Sequence, residues 1–406
     1  MEVLSPMTRQ TLNTQALWLN AEENLLINSR IVSAVHLSVS PFDHELYLAT
    51  TAQNSYVSYD NPAFSYDPDE AQFKALMKAV ACRACLSRPD RSIIERADRL
   101  NREYLSPLVY TPLEEKRLSE RCLKPFRTNR RIHWTLGTSF DGHPVYVPED
   151  LVYRGRAKDF IYYANDSGVA AHPDQLTAIE DAVMSRIRAD ACMRTWYKRL
   201  EPYVIDSALL GERIKSRVEY WRTSGRELII TQLDNSYGEV YLAILRGPNY
   251  PCFVSGVGAT ISGETEGAIL EAIAATEANF GLLSGISCVI PSLAANVPIS
   301  ALDQAIYYCD SKHSQDLEFL TARKKLSPPF KRPPIDFLKL VKELELIVCW
   351  LTEPRATYHV ARVFSRHLVP ISYGVGLEHS THAALEQGSA PVDETNRYLP
   401  HCFYRP

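Results

Sequence analysis

The sequence offers no stretch long and apolar enough to cross a bilayer. Its best candidate, Ile286 to Ile299, is short and is broken by Pro291 and Pro298, whereas a spanning helix needs about 20 apolar residues. The opening residues, MEVLSPMTRQ, lack the basic-then-apolar pattern of an export signal. An excess of one charge is missing too. Forty-four Lys and Arg against 48 Asp and Glu leave −4, which gives neither nucleic acid nor an anionic membrane a reason to be the main partner. A second cysteine pair is also lacking. Of nine cysteines only Cys82 and Cys85 are close, so this lone CxxC reads as small apolar helix positions rather than half a zinc site. An odd, scattered set of thiols without an export signal fits a reduced, cytoplasmic protein. No P-loop, GxSxG or HExxH pattern occurs. His379-x-x-His382 has helical spacing, but with Glu378 beside it the pair reads as ordinary surface or core histidines.

What is present is ordinary globular material: 406 residues, 46% hydrophobic and 23% charged, enough for one large domain or two fused lobes. Residues 1–60 read as an opening strand-rich region that belongs to the main fold, with strand-like pieces at Leu37–Ser40 and Glu45–Leu48. Residues 87–130, rich in Arg, Glu and Leu, read as helical with loops. The basic run Lys124 to Arg131 reads as a solvated face. Strands are expected at Asp159–Tyr163, Glu227–Thr231, Val240–Leu245 and Cys252–Gly256. The loop Ser327 to Pro334 sets off a last lobe, which continues as a helix, Ile335–Leu344, and a strand, Glu345–Leu351.

The most informative feature is an internal near-repeat. Three segments share an acidic or proline-bearing lead followed by Ala-x-x-x-Ala-apolar. They are Asp67 to Leu76 with Ala71 and Ala75, His172 to Val183 with Ala178 and Ala182, and Ser262 to Ile273 with Ala268 and Ala272. Asp and Ser cap free amides, Pro suits a first turn, and early carboxylates favour the positive helix end. Alanines four apart share a face and allow close approach. Three amphipathic helices packed on sheets follow.

Around the second repeat stands Asn165-Asp166-Ser167-Gly168-Val169-Ala170-Ala171-His172-Pro173, followed by Ala189-Asp190-Ala191 and Trp196. Before the third stands Val254-Ser255-Gly256-Val257-Gly258-Ala259. The end is proline-bearing, Pro400-His401-Cys402-Phe403-Tyr404-Arg405-Pro406. In order and spacing these segments resemble the YcaO family over roughly residues 60–406. The resemblance implies an α/β (α+β) fold of layered sheets flanked by helices, with 61–406 as the YcaO-like domain. It also implies work on a ribosomally made peptide, as in antibiotic biosynthesis. Family enzymes use ATP to activate a backbone amide oxygen, and a nucleophile then attacks the amide carbon to give azolines, thioamides or amidines. Partners often bind the leader peptide, and a flavin (FMN) dehydrogenase often oxidises the azolines.

The resemblance also places magnesium-holding groups seven and ten residues after the first alanine of each repeat, acids in the first two and a carboxylate and an amide in the third. Magnesium prefers carboxylate oxygens, and residues three apart share a helix face. Here those positions are Lys78 and Ala81, then Ser185 and Arg188, then Ala275 and Ala278, and an arginine expected three residues after Ala268 is Glu271. The terminal proline alternation is interrupted by Cys402 and by Tyr404-Arg405. The expected reading is therefore a degenerate subunit of a peptide-modifying complex, a pseudoenzyme that scaffolds or presents the precursor peptide. It needs no cofactor or metal of its own and keeps a remnant pocket of Lys78, Asp166, Ser167, Ser185, Arg188, Glu271 and Ala275. The alternative is an active ATP- and Mg-dependent cyclodehydratase with rearranged ligands drawn from Asp166, Ser167, Asp190 and Glu277, with Glu180 available one turn away. A third reading makes Lys78 and Arg188 an anion site; against it stands a plain internal salt bridge to Glu271.

Overall fold

A computed structural model describes residues 34–40, 42–52, 63–86, 92–110, 123–154, 161–162, 164–165, 167–285, 301–309, 311, 315–322, 328–353 and 356–371. Asp166, the run Ile286 to Ile299, the His379/His382 pair and the terminal Pro400–Pro406 lie outside the described residues.

Strands β1 (Ala34–Ser40), β2 (Asp43–Ala52) and β3 (Ala63–Ser65) form an antiparallel sheet in that order. The chain then enters helix α1 (Pro68–Leu86), whose start is fixed by the Asp67 carboxylate accepting from the amides of Asp69 at 2.8 Å and Glu70 at 3.0 Å. Ala71 and Ala75 press this helix against Ala49 and Ala63 of the small sheet. The opening strands are thereby tied to the first repeat.

Residues 92–110 and 123–130 hold no helix longer than one 3-10 turn, which corrects the helical expectation for this region. Instead β4 (Ile93–Arg96) pairs with β5 (Arg131–Ser139), because four consecutive extended residues find a partner edge there. The basic run leads into β5, with Lys124, Arg127 and Arg131 exposed. β6 (Pro144–Pro148) returns along β5, and β7 (Val169–His172) leads to helix α2 (Gln175–Tyr197). Ile161 and Tyr162 are buried but not in a strand, so the strand expected at Asp159–Tyr163 does not form at its described residues.

Next, β8 (Tyr203–Val204), helix α3 (Glu212–Thr223), β9 (Glu227–Leu233), β10 (Glu239–Arg246) and β11 (Phe253–Thr260) build an antiparallel sheet in the order β11-β10-β9-β8. The third repeat is helix α4 (Thr265–Gly285). Helix α5 (Phe337–Glu343) then leads to β12 (Ile347–Trp350) and β13 (His359–Phe364). These two strands insert between β5 and β7 and complete a six-stranded sheet. The proline-rich loop therefore does not separate a lobe. Phe330 exchanges two backbone hydrogen bonds with the Gln232 side chain at 2.7 and 2.8 Å, and the Arg332 amide donates to buried Glu239 at 2.6 Å. A loop with few amides of its own is held by side chains of the neighbouring sheet.

The result is a layered α+β fold. α1 covers the six-stranded sheet, where Leu76, Val80 and Cys85 meet Val145, Val147, Ile347 and Val360. α2 lies between that sheet and the four-stranded one, with Val183 and Ile187 packed among Leu242, Ile244, Ala361 and Val363. α4 and α3 cover the opposite face of the four-stranded sheet, through Ala268, Ala272, Ile214 and Trp221 against Tyr241 and Ala243.

Candidate functional site

The three repeat helices converge on one cavity of about 730 Å³. Lys74, Met77, Lys78, Ala81 and Cys82 face it from α1. Glu180, Asp181, Met184, Ser185 and Arg188 face it from α2, and Leu270, Glu271, Ala274 and Ala275 from α4. Counted from the first alanine of each repeat, one stripe three, six and seven residues on supplies a wall in all three helices. That is one helical face.

Gly256 and Gly258 on β11 bring the floor of the cavity against α4. A Cβ at Gly258 would stand 1.9 Å from the Ala268 carbonyl oxygen, and one at Gly256 would stand 2.4 Å from the Thr276 amide nitrogen. These glycines serve close strand–helix packing rather than a dinucleotide turn.

The charges on the walls are mostly tied to one another. Arg188 Nη2 bonds Glu271 at 2.8 Å across α2 and α4, so the internal salt bridge foreseen as the plain reading is present. Lys74 pairs with Glu70 one turn earlier at 2.8 Å. Lys78 is half-buried; burial pushes its ammonium down to about 8, only partly offset by the attraction of Glu271. Ser185 is spent on structure. Its hydroxyl accepts from the Gly168 amide at 3.0 Å and holds the turn in which Gly168 takes φ +79°. His172 sits edge-on to Phe73 with centroids 5.4 Å apart, and burial lowers its pKa.

Several sequence expectations are corrected here. Asp190 and Glu277 are neither ligand candidates nor exposed helix positions. Asp190 is fully buried and accepts from Arg194 at 2.8 Å, Asn235 at 3.0 Å and the Val369 amide at 2.7 Å. Glu277 lies on the far side of α4, buried in an ion pair with Arg217 and bonded by Trp221 Nε1 at 2.8 Å. Both are polar side chains paid for by buried partners, a role that sequence spacing does not distinguish from a ligand's. Ser167 is buried beneath the turn, its amide donating to Asn165 Oδ1 at 3.0 Å, and is not part of the cavity wall. Glu180, Ser185, Lys78, Arg188, Glu271 and Ala275 do line it.

The residue that sequence reading missed is Asp181. It stands three positions after Ala178, as Lys74 follows Ala71 and Glu271 follows Ala268, so the repeat carried the signal. Its side chain is accessible from the cavity. Enclosure by protein nevertheless raises its carboxyl from an ordinary 3.8 to about 6, against the pull of Arg188 and Lys74. Between those two values the folded chain holds a proton that the unfolded chain releases, so this group makes the fold less stable as pH rises through that window. Asp181→Asn should remove that dependence, and melting temperature measured across this pH range for both proteins checks it.

A model of the family described as "YcaO cyclodehydratase, ATP-ad Mg2+-binding" matches residues 64–368. The chain belongs to the YcaO family. No curated protein sequence matches it. Among solved structures, a heterocyclase in complex with substrate and cofactor is similar at 15% identity and TM-score 0.75, over 95% of this chain and 57% of that one. The chain thus spans little more than half the length of that relative. YcaO from Methanopyrus kandleri bound with AMPPCP and Mg2+ is similar at 17% identity and TM-score 0.64, over 87% of this chain and 90% of that one. The E. coli microcin synthetase McbBCD complex with pro-MccB17 bound is similar at 10% identity and TM-score 0.63, over 82% and 87%. At these identities the likeness is one of fold.

The wall positions at which the resemblance places magnesium-holding groups carry no carboxylate here: they are Lys78, Ala81, Ser185, Arg188 and Ala275. Lys78 and Arg188 present cations where a metal needs hard anionic oxygens. Among the described residues no three His, Cys, Asp or Glu side chains are grouped to hold an ion.

Proposed function

We propose that this chain is a subunit of an assembly that modifies a ribosomally synthesised peptide, and that it scaffolds or presents the precursor without using ATP and magnesium itself. The observation that carries this reading is the charge reversal across the three helices. α1 and α2 offer Lys78 and Arg188, α4 offers Glu271, and Arg188 and Glu271 bond each other at 2.8 Å. Two unit charges about 4 Å apart interact by about 4 kcal/mol at an effective dielectric constant of 20, and a divalent ion doubles this. A magnesium ion beside Lys78 would meet repulsion of that order, and the Glu271 carboxylate that could offset it is already held by Arg188. The peptide role rests on membership of the YcaO family together with the fold likeness to the heterocyclase and the microcin synthetase, whose descriptions name a substrate and a pro-peptide. A leader-binding or flavin-dependent dehydrogenase partner, carrying FMN, would supply the remaining chemistry of antibiotic-type peptide maturation. The assembly would work in the cytoplasm. No helix of the described residues is long and apolar enough to cross a membrane.

Co-expression with the products of neighbouring genes and a candidate precursor peptide tests this. The chain should co-purify with at least one of them, and modified peptide should fail to form when it is left out. A monodisperse protein that stays alone with every neighbour, or product formed equally well in its absence, overturns the reading. Lys78→Ala together with Arg188→Ala should lower the melting temperature and leave the yield of modified peptide unchanged.

A further inference from the structure

Two buried arginines meet near the turn at Ser167 and Gly168. Arg362 on β13 donates to the Asn165 carbonyl at 2.7 Å and to the Val152 carbonyl at 2.9 Å. Arg186 on α2 lays its stem on Gly168, where an added Cβ would stand 2.5 Å from Cδ and 2.7 Å from Cγ. Both side chains are 3% exposed. Arg186 does not line the three-helix cavity, although Ser185 and Arg188 on the same helix do.

The unmet donors of Arg186 are of one particular kind. Its Nε and Nη2 are sealed from water and have no hydrogen-bond partner among the described residues. These two atoms form one edge of the guanidinium, the edge that grips a carboxylate through two parallel bonds. Asp190, one turn on, attracts Arg186. Its oxygens, however, already accept from Arg194 at 2.8 and 2.9 Å, from Asn235 at 3.0 Å and from the Val369 amide at 2.7 Å. Tyr110 meets Arg186 with its ring, 5.7 Å from centroid to guanidinium carbon, and its hydroxyl donates to the Ser365 carbonyl at 3.0 Å. No described carboxylate forms an ion pair with Arg186 or Arg362. The Ser167 hydroxyl, one residue from the seat of the Arg186 stem, is also buried without a partner. A guanidinium keeps its charge at any working pH, and a buried charge is costly until an opposite one meets it. Unmet buried donors of this kind mark the place of a missing water or ion.

We propose that this edge of Arg186 is a buried receptor for one carboxylate, gripped by Nε and Nη2 together. A carboxylate suits it better than a phosphate does: it is planar, it matches the two parallel N–H bonds, and it brings one negative charge to one guanidinium. Such a group can come from a small free acid or from an acidic side chain of a peptide, and both present the same two oxygens. The donors are enclosed, so uptake proceeds through local opening of the chain around them. The proposal stands apart from the peptide-modifying assembly, since carboxylate binding is measured on the isolated chain.

The test is the melting temperature of the purified chain in chloride, with acetate, acetamide or phosphate added at constant ionic strength, or with a short end-capped peptide bearing one glutamate among glycines. Acetate or the glutamate peptide should raise it by about 2 °C or more once the site is filled. Acetamide, the neutral isostere, and phosphate should raise it less than half as much. Arg186→Met should lose the acetate response, and so should Arg186→Lys, which keeps the charge without the two-donor edge. In chloride Arg186→Met should melt no lower than the parent, because a stranded charge is removed and no partner is lost. A larger response to the peptide than to acetate assigns the carboxylate to a peptide, and the reverse order assigns it to a free acid; both support the chemistry. No response to either carboxylate at concentrations on the order of tens of millimolar leaves a buried water at the donors and overturns the proposal. An undiminished acetate response in both variants, or a larger response to phosphate than to acetate, overturns it too. So does a much lower melting temperature of Arg186→Met in chloride, which would make the counter-ion an acid of the chain itself. None of these outcomes bears on whether the chain co-purifies with a partner, so the two readings fail separately.

Discussion

Replacing Gly258 by alanine should destabilise the protein by about 3 kcal/mol or more, the upper range for overpacking a close contact. The new Cβ would stand 1.9 Å from the Ala268 carbonyl oxygen and 2.8 Å from the Ala272 amide nitrogen. Both are backbone atoms of α4, and neither can rotate away as a side chain can. Strand β11 and helix α4 would have to part, and the cavity between them would open. Gly281 gives the contrast within the same helix. It is exposed, and nothing lies within 4 Å of a Cβ added there, so Gly281→Ala should stabilise by about 0.5–1 kcal/mol through helix propensity alone. Denaturant unfolding of the two variants beside the parent reads both signs. A small loss at Gly258 would mean that the strand and helix are not in backbone contact.

The second large effect is expected at Glu277. Its carboxylate, 2% exposed, is held by Arg217, 5% exposed, and by Trp221 Nε1. Glu277→Leu strands the Arg217 guanidinium in a protein interior with no counter-ion, and breaking such a pair from one side costs about 3–5 kcal/mol. A guanidinium cannot escape by losing its proton. The double variant Glu277→Leu with Arg217→Met removes the stranded charge, so most of the loss should be recovered. Equal stability of the single and double variants would mean that the pair is solvated rather than buried. This result also separates roles on α4. Glu277 anchors the outer face of the helix to α3, while Glu271, two turns earlier and on the other side, faces the cavity.

Much of the fold was legible because it repeats. Alanine pairs four apart marked the three helices, and Asp67 and Asp174 mark two helix starts through their bonds to the first free amides. The same repeat contained the cavity: Lys78, Ser185 and Ala275 stand seven residues after their alanines and all line it. The resemblance marks positions seven and ten of each repeat and, at position three, only Glu271, whereas Lys74 and Asp181 stand at that same position three and also line the cavity. Asp190 and Glu277 misled for a physical reason. A carboxylate bound by buried donors and one waiting for a ligand have the same sequence, and only packing tells them apart. The stretch after α1 misled through composition. Arg, Glu and Leu favour helix, but Ile93–Arg96 lies along the edge of β5, and pairing with a sheet overrides a weak local preference. The proline-rich loop looked like a boundary because nothing in its own sequence shows that Gln232 and Glu239 bind it.

The most direct test of the central claim is titration of Mg²⁺–ADP and Mg²⁺–ATP into the purified chain by calorimetry, repeated with the precursor peptide and the partner present. The charge reversal at Lys78, Arg188 and Glu271 predicts no magnesium-dependent heat at millimolar nucleotide in either setting. Clear magnesium-dependent binding would contradict it, and would mean that the three helices still assemble a nucleotide site around the Arg188–Glu271 pair.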